Sequence, residues 1–443
     1  MTQTRQLHLN VNILHGGFYA SAWRVPQADP RASIDIGHYV RSARIAERGK
    51  LDAMFLADQP ALEDRAEEKS FNGLEPSITL AAIATATSHL GLIATISTSY
   101  NEPYNIARRF QTLDLLSGGR VGVNLVTTAN GAAAANFGQT VMEHARRYAR
   151  GQEFAEVLLK LWDSWEEDAF VGDKARNTLL DKRRIHRIDH EGAFFKVAGP
   201  LNVPRSPQGH PIIVQAGGSD DGRDFAARYA DAVFSVGEDQ DLALAYIGDL
   251  RRRAVANGRD PRSIVALPGL GTVIASTEAE LRRREEELGS LIPLDYAVRR
   301  IGGTFGQDLS HLDLDAPFPD LPIPTNGGHT FARATLNFAR QGNLTLRQLI
   351  YKLGGGIGHR VLVATPEAAA DDIEAWFLSG AADGFNLMPD VLPDGLEIFV
   401  DHVVPILQKR GIFRTDYREN TLRERFGLPR PTSRYAELPR RTA

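Results

Sequence analysis

Short apolar runs and longer amphipathic stretches alternate along most of the chain. The first run, Leu7–Leu14, precedes a helix expected over Asp35–Gly49, and the second, LDAMFLAD at Leu51–Asp58, precedes one over Pro76–His89. The third, LGLIATIST at Leu90–Thr98, leads to a helix over Pro103–Leu116, which a Ser117-Gly118-Gly119 turn ends, since glycine supplies the left-handed cap. The fourth, RVGVNLVTT at Arg120–Thr128, is followed by a Gly/Ala-rich loop and an amphipathic stretch over His144–Trp165. Pro211–Gly217 and Asp231–Val236 give a fifth and a sixth strand, with helices from Ser219 and over Asp239–Asn257. A seventh lies within Ile264–Ala275, and an eighth, Gly384–Met388, precedes a helix over Gly395–Arg410.

Most of these runs are rich in Val, Ile, Leu and Ala, as in strands buried on both faces. Strand–helix alternation over this length predicts a parallel sheet with helical crossovers. Eight such units predict a closed (β/α)8 (TIM) barrel, with an open doubly wound sheet as the rival. No G-x-G-x-x-G follows the first strand, which weakens the dinucleotide-binding form of that rival.

The 443 residues are read as a single barrel domain with insertions near 59–75, 166–210 and 291–343 and a C-terminal arm over 411–443. A hairpin is expected at IDHEGAFFKV in the second insertion. The third, rich in Pro and Gly, reads as a long loop that acts as a lid or packs on the barrel rim. The arm is expected to wrap the body or a neighbouring subunit.

Composition narrows the function classes. Charged residues make up 24% and the net charge is −4, with no basic stripe, which argues against nucleic acid. The absence of cysteine excludes disulfides, thiolate nucleophiles and Cys-ligated metals. No secretory signal and no membrane-length apolar run is seen, so the expected compartment is the cytoplasm. No zinc or serine-nucleophile spacing appears, and no metal is expected.

In a barrel of this kind chemistry sits at the C-terminal ends of the strands. Those ends are polar here: Asp58, Thr98 with Ser99, Thr127 with Thr128, Gly217-Gly218-Ser219, and Ser235. The turn from Gly217 to Arg223 joins a strand to a helix start, where free N–H groups and the helix dipole favour an anion. Ser219 adds a hydroxyl, Asp220 and Asp221 add opposing charge, and a plain helix N-cap is the competing reading. His144 and Tyr148 share a helical face, either to reach an anion or to line a helix contact. His15, His311 and His329 fall in loops expected at the same end, where a lone histidine is more often solvated than catalytic.

Together these segments resemble the bacterial-luciferase-like flavin monooxygenases, in particular the nitrilotriacetate, dibenzothiophene-sulfone and long-chain-alkane monooxygenase group. The stretches that carry the resemblance are GKLDAMFLAD, STSYNEPYNIARRFQTLDLLSGGRVGVNLVTT, Asn136–Gly138, RYARGQEFAEVLLKLWDSW, PIIVQAGGSDDGRDFAARYADAVF, ADGFNLMP and GIFRTDYRENTLRERFGL. The resemblance implies a luciferase-like barrel and a two-component monooxygenase. Such an enzyme takes reduced FMN from a separate NAD(P)H:FMN reductase and uses O2, through a flavin C4a-peroxide, to oxygenate a small organic molecule, with C–N or C–S cleavage among the outcomes. It also implies a homodimer or homotetramer. A deazaflavin-dependent hydride-transfer enzyme and a non-catalytic flavin-binding protein are the alternatives.

Carried over by position, the resemblance assigns Asp58, Thr98 and Thr128 to the flavin ring and ribityl chain. It assigns His144 and Tyr148 to the ribityl–phosphate region, and Gly218 and Ser219 to the phosphate turn. His15 and His311 are the catalytic candidates, and Phe18, Trp23 and Tyr100 the substrate-pocket candidates. Three departures stand out. Gly218-Ser219 replaces the Ser-Ser of many members, and Ala129 stands where the alkane enzyme has histidine. His144-Ala145-Arg146-Arg147-Tyr148 replaces His-Asp-Glu-Arg-Tyr.

Overall fold

The structure is a computed structural model that describes residues 5–62, 66–71, 73–237, 239–324, 329–356 and 358–436. Its first half repeats a strand–helix unit: β1 (His8–Asn12), α1 (Ile36–Arg48), β2 (Ala53–Leu56), α2 (Pro76–Ala86), β3 (Gly91–Ser97), α3 (Pro103–Ser117) and β4 (Val121–Val126). Gly118 caps α3 at φ 72°, a left-handed conformation that explains why glycine stands there. A short α4 (Gly131–Asn136) and a long α5 (His144–Asp163) follow. The second insertion carries two antiparallel hairpins, β5 (Phe170–Asp173) with β6 (Thr178–Leu180), and β7 (His190–Glu191) with β8 (Lys196–Val197). The second of these is the hairpin expected at IDHEGAFFKV.

The chain continues through β9 (Ile212–Gln215), α6 (Asp220–Tyr229), β10 (Ala232–Val233), α7 (Gln240–Ala256), β11 (Val265–Ala266) and β12 (Gly269–Ile274). Then come α8 (Glu278–Ser290), α9 (Leu294–Phe305), α10 (His329–Gly342), α11 (Leu346–Lys352), β13 (Arg360–Ala364), α12 (Pro366–Ser379) and β14 (Gly384–Pro389). The third insertion is therefore no continuous loop: α9 and α10 both lie inside it. Residues 325–328 of the TNGG run lie outside the described residues.

Ten strands make one parallel sheet, ordered β11-β10-β9-β4-β3-β2-β1-β14-β12-β13. β11 and β12 are the two halves of the seventh strand, parted at Leu267-Pro268, where proline offers no N–H to a neighbour. The first half pairs with β10 (Ala232↔Val265) and the second with β14 (Gly269↔Asn386). A further bridge joins Val236 to Gly269, so this strand links the two ends of the series and closes the ring. Beyond that bridge the free edge of β12 is taken by β13, from Leu270↔Arg360 to Ile274↔Ala364, a strand the hydrophobic pattern did not single out. The fold is a luciferase-like (β/α)8 barrel with its wall parted at this point.

Alternation sorts the side chains. Leu9 and Val11 pack outward in the large helix-facing core, which turns Asn10 and Asn12 inward. The barrel interior is layered. Its floor is apolar, with Phe55, Ile93, Ile212 and Val265 packed against Leu422, Phe426 and Leu428 from the C-terminal arm. A polar band runs among the inward strand residues, where Asn10 donates to Asn386 Oδ1 and Asn124 to Thr95 Oγ1, each at 3.0 Å. A second core, built from α8 to α11, Tyr19, Ala22 and Val25, covers Val273, Val361 and Val363 of β12 and β13.

The arm is also pinned electrostatically. Arg414 grips the fully buried Asp52 with both guanidinium nitrogens, at 2.8 and 2.9 Å, while His8 Nδ1 lies 3.0 Å from the same carboxylate. Burial alone pushes the Asp52 carboxyl up, but Arg414 and His8 outweigh it and hold the group well below the usual carboxylate range. Arg423 makes a similar forked contact with Asp231, at 2.9 and 3.1 Å. The expected arm thus inserts into the body of its own chain.

Candidate functional site

The strand ends bring most of the singled-out residues to one mouth of the barrel. Ser219 is the N-cap of α6, accepting from Gly222 N–H at 3.2 Å, because its side chain supplies an oxygen where the helix has none of its own. α5 brings two partners to the same turn. Tyr148 Oη stands 3.5 Å from Ser219 Oγ, and the His144 ring lies 4.8 Å from the Tyr148 ring. His144 Nε2 is 3.1 Å from Asp221, and Arg253 holds Asp220 at 2.9 Å. The two aspartates that oppose an anion by charge are thus each paired with a basic side chain. The turn itself is braced from behind, since Tyr246 Oη donates to Gly217 O at 3.1 Å and Arg223 Nε to Gly218 O at 3.2 Å.

Thr98 and Thr128 continue this surface along β3 and β4. Thr128 Oγ1 donates to Ser97 Oγ at 2.7 Å, and Thr98 Oγ1 to Val126 O at 3.1 Å, which ties the two strand ends together. Asp58, after β2, is the electrostatically unusual member. Burial first, and then the neighbouring Glu75 carboxylate, push its pKa up to about 6, against a hydrogen bond from the Gln59 N–H.

The substrate-side candidates occupy the adjoining sector. Phe18 is pinned by its N–H to Pro389 O at 2.8 Å, and Tyr19 by its N–H to Asp390 O at 3.3 Å, so the loop after β1 is fastened to the end of β14. Trp23 Nε1 donates to Glu68 O at 3.2 Å, joining that loop to the first insertion. Tyr100 stacks on Phe137 at 4.9 Å, linking the ends of β3 and α4. His15 lies in the same loop as Phe18, with φ 55°, and its carbonyl accepts from His38 Nε2 at 2.7 Å. His311 is exposed beside Asp308 in the third insertion, and the structure does not bring it to the converging residues. His329 opens α10, and its side chain lies outside the described residues.

One residue was not singled out from the sequence. Arg147 is buried, contacts His144 Nδ1 at 3.5 Å and Met142 O at 2.7 Å, and keeps its Nε unpartnered. The available signal was its position three residues after His144, one turn along the same helical face.

A flavin mononucleotide is an anion on a polar chain attached to a flat ring, and the residues present fit such a group. The helix N-terminus, the Ser219 and Tyr148 hydroxyls and the spare Arg147 Nε suit the phosphate end. Asn12 Oδ1 and Asn124 Oδ1, buried on the inward face without protein partners, suit a ring edge that carries hydrogen-bond donors. Among the described residues no group of three His, Cys, Asp or Glu could hold a metal ion, and no helix is long and apolar enough to cross a membrane.

Comparison with known proteins agrees with this geometry. Residues 18–383 match the model of the luciferase-like monooxygenases. The chain is 41% identical to N-acetyl-S-(2-succino)cysteine monooxygenase of Bacillus subtilis, covering 98% of this chain and all of the relative. It is 42% identical to nitrilotriacetate monooxygenase component A of Aminobacter aminovorans, covering 99% and 100%. A solved riboflavin lyase, described with modified FMN and riboflavin, superposes with TM-score 0.84 at 32% identity, covering 97% of this chain and 98% of that one. With the family model matched over most of the chain and relatives matched along nearly their whole length, the chain belongs to the luciferase-like monooxygenase family.

Proposed function

We propose that this protein is the oxygenase half of a two-component system, taking reduced FMN from a separate NAD(P)H-dependent reductase and oxygenating a small organic substrate in the cytoplasm. The observation that carries the reading is the convergence of Ser219, Tyr148 and His144 on the start of α6, with the buried Arg147 beside His144. Reduced FMN supplies the chemistry with O2. The protein binds, orients and excludes water.

In this reading Ser219, Tyr148 and Arg147 hold the phosphate end, and His144, paired with Asp221, keeps the turn from repelling it. The ring lies toward Thr98, Thr128 and Asp58. Asp58 is the proton-holding group: near neutral pH its carboxyl exchanges a proton readily, which a free aspartate does not. Phe18, Trp23 and Tyr100 line the substrate sector. The names of the relatives point to substrates whose oxidised carbon adjoins sulfur or nitrogen. The "component A" of one relative's name supports a separate reductase. A homodimer or homotetramer is the proposed assembly.

The test is an anaerobic titration with photoreduced FMN, followed by fluorescence anisotropy, and then turnover of a panel of thioethers, sulfones and tertiary amines with and without added flavin reductase. Binding of reduced FMN together with reductase-dependent turnover supports the reading. Preference for a reduced deazaflavin, or tight flavin binding without any turnover, would overturn it.

A further inference from the structure

The start of α6 carries three carboxylates where a phosphate needs positive charge. Asp220 and Asp221 occupy its first turn, and Asp224 stands one turn on, along the same face as Asp220. Acidic side chains suit a helix N-terminus, and for the same reason they compete with an anion bound there.

One side chain of the next helix takes up most of this charge. Arg253 of α7 donates from Nη2 to Asp220 Oδ1 at 2.9 Å and from Nη1 to Asp224 Oδ1 at 2.6 Å. Its Nε donates to Asp249, on its own helix, at 3.0 Å. All three guanidinium nitrogens are thus engaged, each on a different carboxylate. Nη1 also lies 3.4 Å from the Asp220 carbonyl, which docks the fork on the first turn of α6. Asp249 is shared, since Arg223 and Arg252 each reach it at 3.1 Å. Arg223 in turn donates to Gly218 O and lies over the ring of Tyr246, whose hydroxyl donates to Gly217 O. The network therefore runs from α7 to the backbone of the Gly217–Ser219 turn, and its charges balance: Arg223, Arg252 and Arg253 meet Asp220, Asp224 and Asp249. The Asp220 side chain is 85% exposed, against 26% for Arg253, so the fork sets the direction of a carboxylate that packing leaves loose.

We infer that Arg253 is a positioning residue for the flavin phosphate. It acts through Asp220 and Asp224, turning both carboxylates away from the anion's approach. The phosphate is left to Ser219, Tyr148 and the buried, unpartnered Arg147 Nε. This rests on the FMN reading above and deepens it, because the grip on the phosphate then depends on a helix that supplies none of its donors. Without Arg253, Asp220 is free to swing toward the phosphate. Repulsion between charges that close, in water, is worth about fivefold in affinity.

The experiment is anaerobic equilibrium dialysis of the full-length protein against photoreduced FMN and photoreduced riboflavin, which differ by the phosphate alone. It is run on the parent, Arg253→Gln, Asp220→Asn and the double variant, with Arg253→Met in place of Gln if that variant does not fold. The parent is expected to bind FMN about tenfold more tightly than riboflavin, the worth of a charge-assisted hydrogen bond. Arg253→Gln should weaken FMN binding about fivefold, leave riboflavin binding unchanged, and lose less in high salt. Asp220→Asn should tighten FMN binding more in the Arg253→Gln background than in the parent, since only there is the carboxylate loose. Equal loss for both flavins, no loss for either, or the same Asp220→Asn gain in both backgrounds would overturn the inference. A parent that binds the two flavins equally would instead remove the phosphate reading, and the inference with it.

Discussion

Tyr148 Oη faces Ser219 Oγ at 3.5 Å across 71 residues of sequence. At that spacing the two hydroxyls barely bond to each other, so each keeps its strength for a third group between or beside them. In the proposed reading the turn is a binding feature built from two elements, and the two halves should separate by mutation.

Ser219→Ala removes both the cap and a ligand donor. It should cost about 1 kcal/mol of stability and weaken FMN binding about tenfold. Tyr148→Phe should weaken FMN binding to a similar degree at unchanged Tm. Thermal unfolding paired with FMN titration checks both, and equal loss of stability in the two variants would remove the distinction.

Asp58 predicts a pH signature. Its folded pKa of about 6 lies above the ordinary aspartate value of 3.8, so the stability it contributes as a protonated group is full below the unfolded value and lost as pH rises through about 6. Asp58→Asn should therefore raise Tm relative to the parent at pH 7.5 and leave it close to the parent at pH 4. A uniform drop at both pH values would contradict the assignment.

Arg414 balances a carboxylate that has no access to water. Arg414→Met should cost about 3–5 kcal/mol in urea denaturation, since it leaves Asp52 charged and buried with only His8 and the Leu9 N–H, at 2.7 Å, to compensate it. The companion change Asp52→Asn in the same background should recover a substantial part of that loss, and additivity of the two would argue against their coupling.

Phe426 is 4% exposed in the apolar floor of the barrel, edge-on to His8 at 5.2 Å. Phe426→Ala should destabilise by about 3–5 kcal/mol while leaving FMN affinity intact, because floor and mouth lie at opposite ends of the strands. Loss of flavin binding at unchanged stability would be the contrary result.

The first four strands were legible because each is a Val/Ile/Leu-rich run between helices with clear stops, such as Gly118. The seventh was legible only as a region, since Pro268 parts it and each half bonds a different neighbour. β13 was hidden because RVLVA is short, follows a glycine run and resembles the excursion around it. α9 and α10 were masked by the Pro-rich segment between them. At the site, the Ser219 cap was readable from residue type alone. The pairing of His144 with Asp221 was not, because it joins helices far apart in sequence. Arg147 is one of several arginines in its stretch, and burial, which singles it out, has no local signature.

The arm that fills the barrel floor also orders events in time. Asp52 waits for Arg414, 362 residues later, and β1 finds its second neighbour only when β14 has been made. During synthesis the early strands therefore leave the ribosome with one edge and one end uncovered, exposing surface that a chaperone would recognise. The barrel's completion is thus a late step of vectorial synthesis, and premature termination near residue 410 should yield aggregates rather than a slightly shorter enzyme.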